Sequence, residues 1–200
     1  MTTTLNEIYH MGRNAYDALW ANARAYDRDV KLYLHWSAGH YTSVFDDYHI
    51  NITGDGGLVV TTDDLSETKS HTWKRNTGSI GITMCACAFA TSDDLGSEPP
   101  TAAQIEAMAQ VIAVLADSLD LTIDLSRVMT HGEAADNLDG YTGAYGDDDR
   151  YGPDTTCERW DLAILANGDA WKSGGDTLRG KANWYRQYWK DNPEKCPYVA

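Results

Sequence analysis

Apolar and polar positions follow two rhythms along this chain, and the switches between them mark its elements. Over residues 5–27, Ile8, Met11, Ala15, Leu19, Ala23 and Tyr26 recur at helical spacing, which predicts a helix with one buried stripe. Val30-Lys31-Leu32-Tyr33-Leu34-His35-Trp36-Ser37 is a short apolar run that reads as a buried strand ending on an imidazole. Tyr48-His49-Ile50-Asn51-Ile52-Thr53 and Leu58-Val59-Val60 flank the turn Gly54-Asp55-Gly56-Gly57 and predict a hairpin. A further strand is expected across residues 79–89. Pro99-Pro100-Thr101 then announces a helix. Thr101 and Gln104 form a capping-box pattern ahead of the stripe Ile105, Met108, Ala109, Ile112, Leu115, Ala116 and Leu119. Arg127-Val128-Met129-Thr130-His131 is a second strand with a histidine at its end, followed by an acidic, glycine-rich loop over residues 136–154. A last helix is predicted over residues 176–190, with Leu178, Ala182, Tyr185 and Trp189 along one side. Helices and strands interleave without a repeat or a linker. The expectation is one α/β domain spanning residues 1–200.

Composition narrows the function classes. The chain has 200 residues, 42% of them hydrophobic, enough for one sizeable core. No apolar run approaches the roughly 20 residues of a membrane span. The opening Met1-Thr2-Thr3-Thr4-Leu5-Asn6-Glu7 lacks the basic and apolar regions of a signal peptide, so synthesis in the cytoplasm and export by another route are expected. A net charge of -14 argues against a nucleic-acid partner and against electrostatic recruitment to an anionic membrane. Cys85 and Cys87, two apart in an expected strand, would share a face and read as buried small hydrophobes; whether Cys157 and Cys196 pair stays open. Asp147-Asp148-Asp149 lacks the spacing of a calcium loop and reads as solvated.

No His-Glu-x-x-His motif, Gly-x-Ser-x-Gly elbow, phosphate loop or dinucleotide fingerprint is present. What remains is dispersed: His35, Tyr48-His49, His71, Thr83, His131-Gly132-Glu133 and Arg159-Trp160-Asp161. Strand ends are where an open sheet presents functional groups, and two histidines on separate strand ends can converge on one ion. Zinc that performs hydrolysis then needs a third protein ligand and an open position for water.

In order, the chain resembles the zinc-dependent N-acetylmuramoyl-L-alanine amidases, which share a fold with peptidoglycan recognition proteins and bacteriophage lysozyme-amidases. The resemblance rests on Leu34-His35-Trp36-Ser37-Ala38, on Tyr48-His49-Ile50-Asn51-Ile52 leading into Gly54-Asp55-Gly56, on His71 through Asn76 into Ser79-Ile80-Gly81-Ile82, and on Thr130-His131-Gly132-Glu133. It implies a central mixed β-sheet flanked by helices, with a motif-bearing core over residues 30–165. It places the zinc histidines on His35 and His131 and the third ligand best on Asp161. The loop between His131 and Asp161 is longer than is usual for the family, which keeps Asp136 and Asp154 as substitutes. The family tyrosine falls on Tyr48, and the basic residue two positions before the third ligand falls on Arg159. The implied cofactor is Zn2+, polarising a water and the substrate carbonyl, with Tyr48 or Arg159 stabilising the oxyanion.

One departure concerns the base. Many members carry a glutamate after Ser-Ile-Gly-Ile, where this chain has Thr83, whose hydroxyl cannot act as a base near neutral pH. Strand alternation turns Thr83 away from Ile82 and Met84, towards the cleft. The phage-type branch also lacks the glutamate and relies on the tyrosine and the basic residue. Glu133 is either a second candidate base or a partner supporting the metal site. The resemblance implies a monomeric hydrolase that cuts the amide between N-acetylmuramic acid and L-alanine in peptidoglycan and lyses cell walls. The setting expected for it is that of a phage or prophage endolysin released through a holin-type lesion or by other delivery. The alternative is a non-catalytic muropeptide-binding module of the same fold.

Overall fold

Thr4 opens the first helix, α1 (Leu5–Arg24), with a reciprocal capping box: its hydroxyl accepts from the Glu7 N–H at 3.2 Å, and the Glu7 carboxylate accepts from the Thr4 N–H at 2.8 Å. The computed structural model describes residues 1–91, 94–136, 138–140 and 161–198. Ile8, Ala15, Leu19 and Ala23 are buried as the stripe predicts, but the helix stops at Arg24 and leaves Tyr26 exposed. Gly12 lies where α1 meets α2 (Ala102–Ser118), and a Cβ there would sit 2.1 Å from the Ser118 hydroxyl.

Five strands follow: β1 (Lys31–Trp36), β2 (Ile50–Ile52), β3 (Leu58–Val60), β4 (Ser79–Met84) and β5 (Val128–Thr130). They form one mixed sheet in the order β3-β2-β4-β1-β5, with β3 antiparallel to β2 and the other pairs parallel. Side chains alternate across a strand, so register decides which residues share a face. Leu32, Leu34, Ile50, Ile52, Ile80, Ile82 and Val128 face the main core with α1 and α2, all at 0% exposure. Each such side chain contributes about 1.5–3 kcal/mol on burial, which is why the helices cover this face. Tyr33, His35, Asn51, Gly81, Thr83 and Met129 fall on the other face by the same alternation. The register aligns His35 of β1, Thr83 of β4 and Asn51 of β2 in one polar row.

α2 carries the expected capping box on Thr101 and Gln104. The Gln104 amide also donates to the carbonyls of Ile52 and Cys85, both at 2.9 Å, and so ties the helix start to the ends of β2 and β4. Two expected boundaries change. β4 ends at Met84, and Cys87 and Phe89 adopt φ of 67° and 63°, which no strand accommodates. Cys85 and Cys87 are buried but share no strand face, and burial pushes their thiols up to about 11 and about 12, with Asp161 adding to the shift at Cys87. β5 ends at Thr130, so His131 opens a short helix, α3 (His131–Ala135), instead of closing a strand. The last helix, α4, runs Gly174–Asp191 and buries Leu178, Ala182 and Trp189. Arg159, Asp154, Cys157 and Asp147-Asp148-Asp149 lie outside the described residues. Among the described residues no helix is long and apolar enough to cross a membrane.

Candidate metal centre

Three elements deliver one side chain each to a single point. His35 comes from the end of β1 and is fully buried. His131 is held by the cap of α3: the Thr130 hydroxyl accepts from the Glu133 N–H at 3.1 Å, and the Glu133 carboxylate accepts from the Thr130 N–H at 2.8 Å. Arg179 of α4 braces this corner, donating to Glu133 at 2.7 and 2.8 Å and to the Val128 carbonyl at 2.9 Å. Asp161 precedes an apolar run, Leu162, Ala163, Ile164 and Leu165, that is buried beside α4. Gly174 donates to the Ala163 carbonyl at 3.1 Å and Gly132 to the Asp161 carbonyl at 3.4 Å.

The result is a small triangle. His35 Nδ1 lies 3.1 Å from His131 Nδ1 and 3.1 Å from Asp161 Oδ2, and His131 Nδ1 lies 3.2 Å from Asp161 Oδ2. A tetrahedral metal with bonds of about 2.0–2.1 Å sets its ligand atoms about 3.3 Å apart, so this donor set fits one ion above the triangle's centre. All three residues are buried and can hold a metal ion. Burial alone would push the Asp161 carboxyl up, but the imidazoles of His131 and His35 hold it well below the usual carboxylate range. The site therefore keeps one negative charge to set against a dication.

The triangle stands at the floor of a cleft of about 550 Å³ lined by Trp36, Ser37, Tyr48, Trp73 and Asn76 together with His131 and Asp161. The Tyr48 ring packs 5.0 Å from the His35 ring, centroid to centroid. The family model Amidase_2, N-acetylmuramoyl-L-alanine amidase, matches residues 8–148. The chain belongs to this amidase family. A search of curated proteins finds no match. The family match ends before Asp161, which reaches the two histidines through the fold alone.

The remaining candidates of this amidase-family chain take other places. Glu133 spends its carboxylate on the α3 cap and Arg179 and does not line the cleft, which leaves it a supporting role. Thr83 shares the face of His35 but is fully buried, donates to its neighbour's carbonyl at 3.3 Å and does not line the cleft either. Asp136 pairs with Lys172 at 2.9 Å, away from the triangle. His49 accepts from the Gly81 N–H at 3.0 Å and donates to the Glu67 carbonyl at 2.8 Å, as a satisfied neutral imidazole. His71 alone of these also lines the cleft, its ring 5.4 Å from that of His35, and it packs over Gly81, where a Cβ would lie 2.5 Å from the ring. Sequence reasoning overlooked Thr72, Trp73 and Trp36 as cleft residues. Trp73, half-exposed in a polar run, was the one legible signal among them.

The buried imidazoles set a pH dependence. Burial, opposed by the Glu67 carbonyl and reinforced by Lys69, pulls the His49 pKa down to about 4 from its ordinary 6.5. Burial, with His35, His49 and His131 nearby, also holds His71 well below its ordinary value. On acidification the unfolded chain takes up these protons first. Stability is therefore lost as pH falls from 6.5, and the His49 share reaches about 3 kcal/mol by pH 4. Urea unfolding of the metal-free protein at pH 7 and 4.5 checks this, and His49→Gln is expected to flatten the difference.

Proposed function

We propose that this chain is a zinc hydrolase cutting the amide between the lactyl group of N-acetylmuramic acid and L-alanine in peptidoglycan. The observation that carries the proposal is the triangle of His35 Nδ1, His131 Nδ1 and Asp161 Oδ2, closed to within 3.2 Å at the foot of an open cleft. Two imidazoles and one carboxylate make the donor set that leaves zinc a position for water. Bound there, zinc supplies a Lewis acid and a water acidified towards neutrality. The protein's own groups do the rest. Tyr48 borders the cleft beside His35 and donates a hydrogen bond to the oxygen that gains charge as the amide carbon becomes tetrahedral. Arg159 adds a permanent positive charge that cannot act as an acid or base. Trp36 and Trp73 offer flat apolar walls against which sugar rings can lie.

Cell-wall lysis, as by a phage or prophage endolysin, is the role such an activity serves. A non-catalytic muropeptide binder is favoured only by Thr83 in the glutamate position, and an intact set of three donors weighs against it. The test is chemical. Purified peptidoglycan is digested with the protein as isolated, after chelation and after zinc is restored, and newly exposed amino termini are labelled and identified. L-alanine termini are expected with zinc and not with chelator. Their absence under every metal condition would end the proposal. Within the same assay, Tyr48→Phe is expected to lower turnover by roughly 10²-fold, the effect of losing one oxyanion donor, with zinc content unchanged.

A further inference from the structure

We infer that the Thr72 hydroxyl is a positioning group that commits His35 to the one tautomer able to take a metal. The inference rests on the metal reading of the triangle and extends it to residues beside that triangle. His35 turns Nδ1 into the triangle, while its other ring nitrogen, Nε2, lies 3.3 Å from Thr72 Oγ1. Thr72 Oγ1 lies 2.9 Å from His71 Nδ1, and His71 Nε2 lies 3.5 Å from Ser79 Oγ. Ser79 Oγ in turn reaches the carbonyls of Arg75 and Asn76 at 2.7 and 2.8 Å. His35, Thr72, His71 and Ser79 are all buried.

The direction of every proton in this chain of contacts follows from its far end. A backbone carbonyl can only accept, so Ser79 spends its single hydroxyl proton there. Ser79 then accepts from His71, which puts the His71 proton on Nε2 and leaves Nδ1 an acceptor. Thr72 fills that acceptor with its own single proton, and its oxygen accepts from His35 Nε2–H. The proton of His35 is thereby held on Nε2, and the Nδ1 lone pair faces the triangle before any ion arrives. The framework around the relay is rigid. Asn76 Oδ1 accepts from the backbone N–H groups of His71 at 3.1 Å and Thr72 at 2.7 Å, and the bare Cα of Gly81 admits the His71 ring.

Two measurements on the full chain test this: nitrogen chemical shifts of the His35 ring after chelation, and zinc affinity by competition with a chromophoric chelator. Wild type and Thr72→Ser are expected to show the proton on Nε2 and to bind zinc within about 3-fold of each other. Thr72→Val keeps the shape and removes the hydroxyl. It is expected to populate the Nδ1–H tautomer and to weaken zinc by about 10–100-fold in a chain that still unfolds cooperatively, at a midpoint lowered modestly by the donor lost to His71. Zinc affinity and tautomer unchanged in Thr72→Val would overturn the inference. So would a Thr72→Ser variant as impaired as Thr72→Val. If Thr72→Val does not fold, the wild-type spectrum decides alone, because a proton on Nδ1 there contradicts the relay. A wild-type chain with the Nε2–H tautomer that binds no zinc would instead overturn the metal reading and leave the relay standing.

Discussion

Alanine at His35, His131 or Asp161 is expected to remove stoichiometric zinc and to bring the release of L-alanine termini down to background. Each residue supplies one corner of a triangle whose edges are 3.1–3.2 Å, and two remaining corners do not hold zinc against dialysis. Asp161→Asn gives the sharpest contrast, since it keeps the shape and removes the charge that balances the ion. Asp136→Ala breaks only a partly exposed pair with Lys172, and it is expected to retain zinc, as is Asp154→Ala. Metal analysis of the dialysed variants checks all of these. Loss of zinc in the Asp136 variant with retention in the Asp161 variants would move the third corner elsewhere.

Arg179→Met is expected to lower stability by about 3 kcal/mol, because it leaves the Glu133 carboxylate, only 11% exposed, without a counter-charge. The change also strips the Val128 carbonyl of its donor, at the start of β5, which runs from there to its junction with α3. For a chain of this size the unfolding temperature is expected to fall by about 10 °C. Because His131 is the first residue after that junction, zinc affinity is expected to weaken as well. Pairing Arg179→Met with Glu133→Gln should recover much of the stability, since glutamine keeps the cap and brings no stranded charge. Calorimetry of the metal-free variants measures the cost. A loss under about 1 kcal/mol for Arg179→Met would mean that the pair does not brace the site.

What the sequence made legible follows the strength of its periodic signals. The stripes of α1, α2 and α4, the hairpin around Gly54-Asp55-Gly56-Gly57 and the two apolar strands next to His35 and His131 all rest on repeated burial, which a linear pattern records. Ends were harder, because a strand end depends on what the next few residues bond to. Ser79 to Phe89 looks continuous in apolar content, yet β4 ends where Gln104 takes the Cys85 carbonyl and the backbone turns left-handed at Cys87. His131 looked like a strand end because the Thr-x-x-Glu cap of Thr130 and Glu133 was read as possible chemistry and not as a helix start. The meeting of His35, His131 and Asp161 came from resemblance, since no local spacing relates three residues on separate elements. Thr72 carried no signal at all. Its place is set by Asn76 holding the loop and by Gly81 making room for His71, both of which are three-dimensional facts.

Anomalous diffraction at the zinc edge, from crystals of the zinc-loaded protein, tests the central claim most directly. One peak is predicted, about 2.0–2.1 Å from each of His35 Nδ1, His131 Nδ1 and Asp161 Oδ2, with its fourth position open to the cleft. A peak bound elsewhere, or none at the triangle in protein that releases L-alanine termini from peptidoglycan, would contradict it.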